Sequence, residues 1–207
     1  MSEHSEKRRY CDTCQRPMSA CICKFTCATD NQVRVLVLQH PTEVKQTKGT
    51  VGLLAQSLSN IEVIVGEDFS DNEQVNQFIE ANQPCYLLYP NENAQVLGQF
   101  TDGDKQTPKS LILLDGTWKK AYRMFQLSKN LHQLPSVVLP EGIECLYQIR
   151  KTSKKQALSS YEACVNALAL LEQDQAKYQN MLDNFIKFNE FQLSFTPSHH
   201  HSSTKGE

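Results

Sequence analysis

Two groups of residues in this chain carry reactive side chains at spacings that chemistry can use. The first is Asp115, Thr117 and Trp118 within "LLDGTWKKAYRM": a carboxylate, a hydroxyl and the chain's single tryptophan, followed at once by Lys119, Lys120 and Arg123. An aspartate that ends a buried strand can take a proton from a substrate, or it can cap the next helix by accepting a hydrogen bond from the backbone of Thr117 or Trp118. The three cations fall in the first two turns of that helix, where the macrodipole disfavours positive charge by about 0.3–1 kcal/mol each. A sequence that carries this cost gathers positive potential for a phosphate or carboxylate. Trp118, Ala121, Tyr122 and Phe125 share one helical face, as core side chains would, and periodicity alone leaves both readings open.

The second group is cysteine. Five of the eight cysteines lie between positions 11 and 27, in "CDTCQRPMSACICKFTC". Cys11-x2-Cys14 and Cys21-x-Cys23 together offer four thiolates that can close a tetrahedron round one Zn²⁺, and loops this small do not fold without an ion. Clustering without a secretory signal points to metal rather than disulfides. Cys27 is an alternative fourth ligand to Cys23, because a Cys-x-Cys pair must bend tightly to put both sulfurs on one ion. Four thiolates leave no open position for water, so such a zinc is structural.

The elements that position these groups alternate between strand and helix. Val33–Leu38 is a continuous apolar run of the kind buried on both faces of a parallel sheet, stopped by His40-Pro41. "IEVIVG" (61–66), "CYLLYP" (85–90), "LILLD" (111–115) and "SVVLP" (136–140) read as further strands. Helical spacing appears in "GTVGLLAQSLSN", near 72–81 and over 117–129. This predicts an α/β fold with a mostly parallel, doubly wound sheet, which places Asp115 at the carboxyl end of a strand, where ligands bind. Residues 91–110 are polar and rich in turn formers and read as a loop. Ser159 and Glu162 form a capping box ahead of a helix. A last helix carries Tyr178, Met181, Leu182, Phe185 and Phe188 as a core stripe. The expected division is a zinc knuckle over 1–28, a catalytic domain over 29–194 that includes the C-terminal helices, and a disordered tail over 195–207.

A formal net charge of −2 excludes a uniformly basic coat, so nucleic acid must be met by local patches. There are three: Lys7, Arg8 and Arg9; Lys119, Lys120 and Arg123; and Arg150, Lys151, Lys154 and Lys155. The last leads straight into the capped helix start "LSSYEA". No apolar run reaches the length of a membrane span, and "MSEHSEKRRY" is not followed by an apolar h-region, so the expected address is cytoplasmic, with no membrane partner.

The Cys-x2-Cys-x2-Pro…Cys-x-Cys start, "QHPTE" with "KGT" after it, "LLYP", "LLDGTW" and "LSSYEA" occur in that order between residues 10 and 172. Together they resemble the DTW-domain family, named for its Asp-x-Thr-Trp motif. The resemblance implies a branch of the SPOUT class of RNA-modifying enzymes, with a trefoil knot in the cosubstrate-binding C-terminal half, against the general rule that chains are not threaded. It implies a tRNA-uridine aminocarboxypropyltransferase, which moves the 3-amino-3-carboxypropyl group of S-adenosylmethionine to N3 of a uridine and releases methylthioadenosine. Asp115 is then the general base. Thr117 holds the carboxylate or a uracil oxygen, and Trp118 shapes the pocket or stacks on the base. The cosubstrate pocket draws on Tyr89, Pro90, Leu114, Arg150 and Ser160, where many family members have threonine in place of Ser160. Arg8, Arg9, Lys119, Lys120, Arg123, Lys151 and Lys154 meet tRNA, and Cys11, Cys14, Cys21 and Cys23 hold Zn²⁺. The protein acts as a monomer or homodimer.

Three rival readings use the same residues. An RNA methyltransferase of this architecture would release S-adenosylhomocysteine. An enzyme directed at ribosomal RNA would prefer that acceptor. A zinc-bearing RNA-binding module without activity would use Asp115 only as a cap.

Overall fold

The computed structural model describes residues 9–99, 109–143, 145–146 and 158–195. Six strands, β1 (Arg34–Gln39), β2 (Ile61–Val65), β3 (Cys85–Leu88), β4 (Gln95–Val96), β5 (Ser110–Asp115) and β6 (Ser136–Val138), form one sheet in the order β2-β1-β5-β3-β6-β4. Every pairing in it is parallel. Among the described residues there are five α-helices, α1 (Val51–Ala55), α2 (Glu73–Ala81), α3 (Trp118–Leu127), α4 (Ser160–Leu171) and α5 (Gln175–Leu193), with short 3-10 turns between elements.

Alternation along the central strands divides the core in two. Val35, Val37, Leu111 and Leu113 face one side, with Tyr161, Val165 and Leu168 of α4 and Met181, Phe185 and Phe188 of α5. Leu36, Leu38 and Ile112 face the other, with Val75 and Phe78 of α2 and Ala121 and Met124 of α3. The sheet is therefore covered on both faces, which is why β1 and β5 are apolar at every position between their polar ends rather than at alternate ones. All five residues of the expected stripe on α5 are buried, and Tyr161 stacks on Phe185 with ring centroids 4.5 Å apart.

The capping box forms as expected: Ser159 Oγ accepts from Glu162 N, and Glu162 Oε2 accepts from Ser159 N at 2.8 Å. Three details differ from the sequence reading. Strands β3 and β6 stop at Leu88 and Val138, short of Pro90 and Pro140, whose rings carry no N–H for a ladder. Helix α1 ends at Ala55, because Ser57 and Leu58 turn the chain into a parallel bridge between Leu58 and Thr29. The stretch 91–110 contains β4 at the sheet edge, too short to show alternation, and its residues 100–108 lie outside the described residues. The residues after Phe195 also lie outside them. Among the described residues no helix is long and apolar enough to cross a membrane.

Candidate active site and cysteine cluster

Asp115 closes β5, and its register partner on β1 is Gln39, so two polar side chains end neighbouring strands at the same edge of the sheet. Gln39 Nε2 donates to Asp115 Oδ2 at 2.9 Å, and Ser160 Oγ donates to Oδ1 at 2.5 Å. The backbone is tied as well, with His40 N donating to Asp115 O at 3.0 Å. The aspartate is only 8% exposed, yet a carboxylate has about four acceptor positions and these donors fill two. Ser160 is the first residue of α4, so the carboxylate of Asp115 is met by the start of that helix. Asp115 is not the cap of α3; Thr117 is, accepting from Lys120 N at 3.4 Å. Between them Gly116 is closely packed, since a Cβ there would stand 3.1 Å from Lys120 Cβ, tighter than ordinary contact, and 3.6 Å from His40 Cβ.

The cations after Trp118 divide. Lys120 Nζ reaches Glu43 Oε1 at 2.7 Å and Thr42 Oγ1 at 2.6 Å, and Arg123 Nε reaches Glu67 Oε1 at 2.9 Å. Lys120 and Arg123 therefore have carboxylate partners, contrary to the expectation that all three cations offer positive potential outward. Lys119 is exposed. Between the two ion pairs sits His40, 9% exposed, whose Nδ1 accepts from Thr42 N and whose Nε2 lies 3.2 Å from Glu67 Oε1. That pattern requires the proton on Nε2, donated to Glu67. Hydrogen bonds from His40, then Arg123, hold the Glu67 carboxyl below its ordinary range.

Of the two readings left open for the face of Trp118, Ala121, Tyr122 and Phe125, the core one does not hold for Trp118 and Tyr122. The buried side of α3 is Ala121 and Met124, whereas Trp118 and Tyr122 are 54% and 59% exposed. Phe125 stacks on Tyr89 with centroids 4.7 Å apart and planes tilted by 25°. Tyr89 follows the end of β3 and is buried, and burial, followed by the neighbouring Tyr122 phenol, pushes its own phenol up. Pro90 is exposed and Leu114 half-buried. Arg9 is exposed, while Arg8, Arg150, Lys151 and Lys154 lie outside the described residues.

The structure thus brings Asp115, Ser160 and Tyr89 to one end of the sheet. It adds Gln39, His40 and Glu67, which the sequence reading gave no role. Gln39 and His40 stand inside the "QHPTE" motif at a strand end and were within reach of that reading. Glu67 carries no local signal.

The opposite end of the sheet holds a cleft of about 750 Å³ lined by Arg34, Asn82, Lys109, Glu172 and Lys177. Its acids are engaged structurally, with Glu172 accepting from the backbone N–H of Gln32 and Val33 and from Lys177 Nζ, and Asp174 accepting from Lys177 N. Ligands of open α/β sheets bind at the other, carboxyl end.

In the N-terminal segment the sulfurs of Cys11, Cys14, Cys21 and Cys23 lie within 4.8 Å of one another. The Cys11–Cys23 and Cys14–Cys21 separations are 3.6 and 3.8 Å. Four sulfurs about 2.3 Å from a tetrahedral Zn²⁺ stand about 3.8 Å apart, so the four fit that ion. Cys27 is outside the cluster, 3.9 Å from Thr29 Oγ1, which leaves Cys23 as the fourth member. The backbone N–H of Cys14, then that of Thr13, holds the Cys11 thiol down to about 6, while burial and then Cys11 push Cys23 up to about 12. Four crowded sulfurs are easily ionised together only around a cation. Ile22 and Phe25 enter the main core, and Arg16 donates to the carbonyls of Thr47 and Gly49.

Residues 8–193 match the family described as the DTW domain. The chain is 30% identical over 197 residues to tRNA-uridine aminocarboxypropyltransferase 2 of Mus musculus, and 28% identical over 200 residues to the protein of the same name in Macaca fascicularis. Each alignment covers 92% of this chain and 66% of the relative, so the chain spans just under two thirds of their length. The protein of that name in Drosophila melanogaster is 29% identical over 203 residues, covering 95% of this chain and 80% of its own. No solved structure matches. With the strand-end aspartate, the exposed tryptophan and the cysteine tetrad in one continuous match over most of its length, the chain belongs to the DTW-domain family.

Proposed function

We propose that this chain transfers the 3-amino-3-carboxypropyl group of S-adenosylmethionine to N3 of a uridine in tRNA, releasing methylthioadenosine. The observation that carries the reading is the Asp115 carboxylate, fixed by Gln39 and Ser160 at the carboxyl end of a parallel sheet. The names of the relatives supply the group transferred and the acceptor.

Bound S-adenosylmethionine supplies a sulfonium whose attached carbons are open to nucleophiles. Uridine N3 is a poor nucleophile while protonated, so a positioned base is what the protein must provide. Asp115 takes the N3 proton as N3 bonds to the γ-carbon, and the electron pair of the broken carbon–sulfur bond stays on sulfur as a neutral thioether. Its carboxylate suits a neighbouring sulfonium, and Gln39 and Ser160 fix the direction of its free lone pairs. Choosing the large chain over the methyl is a matter of orientation, which a held reactive conformer makes worth several kcal/mol.

Thr117 holds the carboxylate or a uracil oxygen, and Trp118 shapes the pocket or stacks on the base. Tyr89, Pro90, Leu114 and Ser160 line the cosubstrate pocket, with Arg150. Arg8, Arg9, Lys119, Lys151 and Lys154 meet phosphates, while Lys120 and Arg123 act mainly through Glu43 and Glu67. Cys11, Cys14, Cys21 and Cys23 hold a structural Zn²⁺ that fastens a knuckle over 1–28 to the catalytic domain over 29–194, with 195–207 as a tail. A SPOUT-like trefoil knot in the C-terminal half belongs to the same reading. The protein works in the cytoplasm as a monomer or homodimer.

Purified protein incubated with labelled S-adenosylmethionine and unmodified tRNA is expected to yield methylthioadenosine and a uridine carrying both an acidic and an amino group. Release of S-adenosylhomocysteine instead would replace this reading with methyl transfer.

A further inference from the structure

Trp118 and Tyr122 are two large aromatic side chains more than half exposed on the same helix, at 54% and 59%. They are four residues apart, so they neighbour each other on the surface of α3. Phe125 continues the line, and Tyr89 backs it through the 4.7 Å ring stack. Trp118 begins α3 only three residues after Asp115, with Thr117 and Gly116 between. Lys119 is exposed beside the two rings, and no acidic residue occurs from Gly116 to Pro140.

We propose that Trp118 and Tyr122 form a stacking ledge for unpaired bases, on which nucleotides flanking the target uridine are laid as the target reaches Asp115. The inference rests on the uridine reading above and extends it to Tyr122. N3 of a paired uridine is occupied in its base pair, so an acceptor attacked at N3 must be unpaired, and its neighbours in a loop have free faces. Unstacked bases are recognised by aromatic side chains with little regard to sequence, whereas the bases of a duplex cover one another's faces. A ledge with an exposed lysine next to Trp118 in the chain, and with the carboxylates that reach this helix, Glu43 and Glu67, already paired with Lys120 and Arg123, suits a polyanion. Tyr122 is a positioning residue in this scheme, since it contacts neighbouring bases rather than the reacting atoms.

Trp118 is the chain's one tryptophan, so its fluorescence reports the ledge directly. Titrating the full chain with a short single-stranded uridine-rich RNA is expected to quench that emission to saturation, and a duplex of equal length is not. Tyr122→Ala is expected to raise the RNA concentration at half-quenching about ten-fold, the loss of one stacked base, while Tyr122→Phe keeps it. An unshifted midpoint in Tyr122→Ala would overturn the proposal, as would equal quenching by duplex or a dimer that dissociates in Tyr122→Ala. Transfer measured on the same samples separates the two readings. An inactive protein with a Tyr122-dependent midpoint sinks the transferase and keeps the ledge; an active one whose midpoint ignores Tyr122 does the reverse.

Discussion

Ser160, the first residue of α4, donates its hydroxyl to Oδ1 of Asp115 at 2.5 Å, joining the start of one helix to the end of the central strand. Asp115 is thereby oriented from the α4 side, and from the β1 side by Gln39. A hydrogen bond to a charged group contributes about 1.5–3 kcal/mol, and a buried carboxylate that loses one is left partly unsatisfied. Ser160→Ala is therefore expected to lower turnover by roughly ten- to a hundred-fold. Ser160→Thr restores the hydroxyl and most of the rate. Single-turnover rates of the two variants check this.

Asp115→Asn keeps the shape of the side chain and removes its basicity. General bases contribute about 10²–10⁴-fold, and turnover is expected to fall by that much while tRNA affinity stays within about two-fold. Filter binding beside product formation makes the test. Equal loss of both would leave Asp115 as a structural group and support a binding module.

The sulfur separations predict one Zn²⁺ per chain in purified protein, absent from Cys14→Ser, by elemental analysis. Because Phe25 and Ile22 join the main core, metal loss destabilises the whole domain and not the knuckle alone. Phe25→Ala is expected to cost about 3–5 kcal/mol and lower Tm by roughly 6–20 °C in a chain of this size, by calorimetry.

Glu67 has a folded pKa held below its ordinary 4.5 by His40 and Arg123. A depressed carboxylate stabilises the fold above its unfolded pKa and loses that contribution as pH falls through the lower, folded value. Acid titration of wild type is thus expected to show a steeper loss of stability below about pH 4.5 than titration of Glu67→Gln. High salt should narrow the difference, since the pair is solvent-exposed. Parallel curves would show that the pairing contributes nothing.

Much of the architecture was legible because it is local. The β1 run, the Ser159–Glu162 box and the α5 stripe state their burial or capping in neighbouring letters, and the cysteine tetrad states its ligands within one short segment. Partnerships across the fold were not legible. Lys120 meets Glu43 and Arg123 meets Glu67 across 77 and 56 positions of sequence, and nothing near either cation announces it. Helical period placed Trp118, Ala121, Tyr122 and Phe125 on one arc, but a period cannot tell which edge of an arc turns inward. Ala121 and Met124 took the sheet, leaving Trp118 and Tyr122 outside.

Gly116 has a consequence for how this end of the molecule responds to substitution. A methyl at position 116 would stand 3.1 Å from Lys120 Cβ, tighter than ordinary contact, so any larger residue there must push the first turn of α3 away from the strand that carries Asp115. Enlarging this one position would therefore disturb the aim of the carboxylate from behind, without placing a single atom in the path of the acceptor.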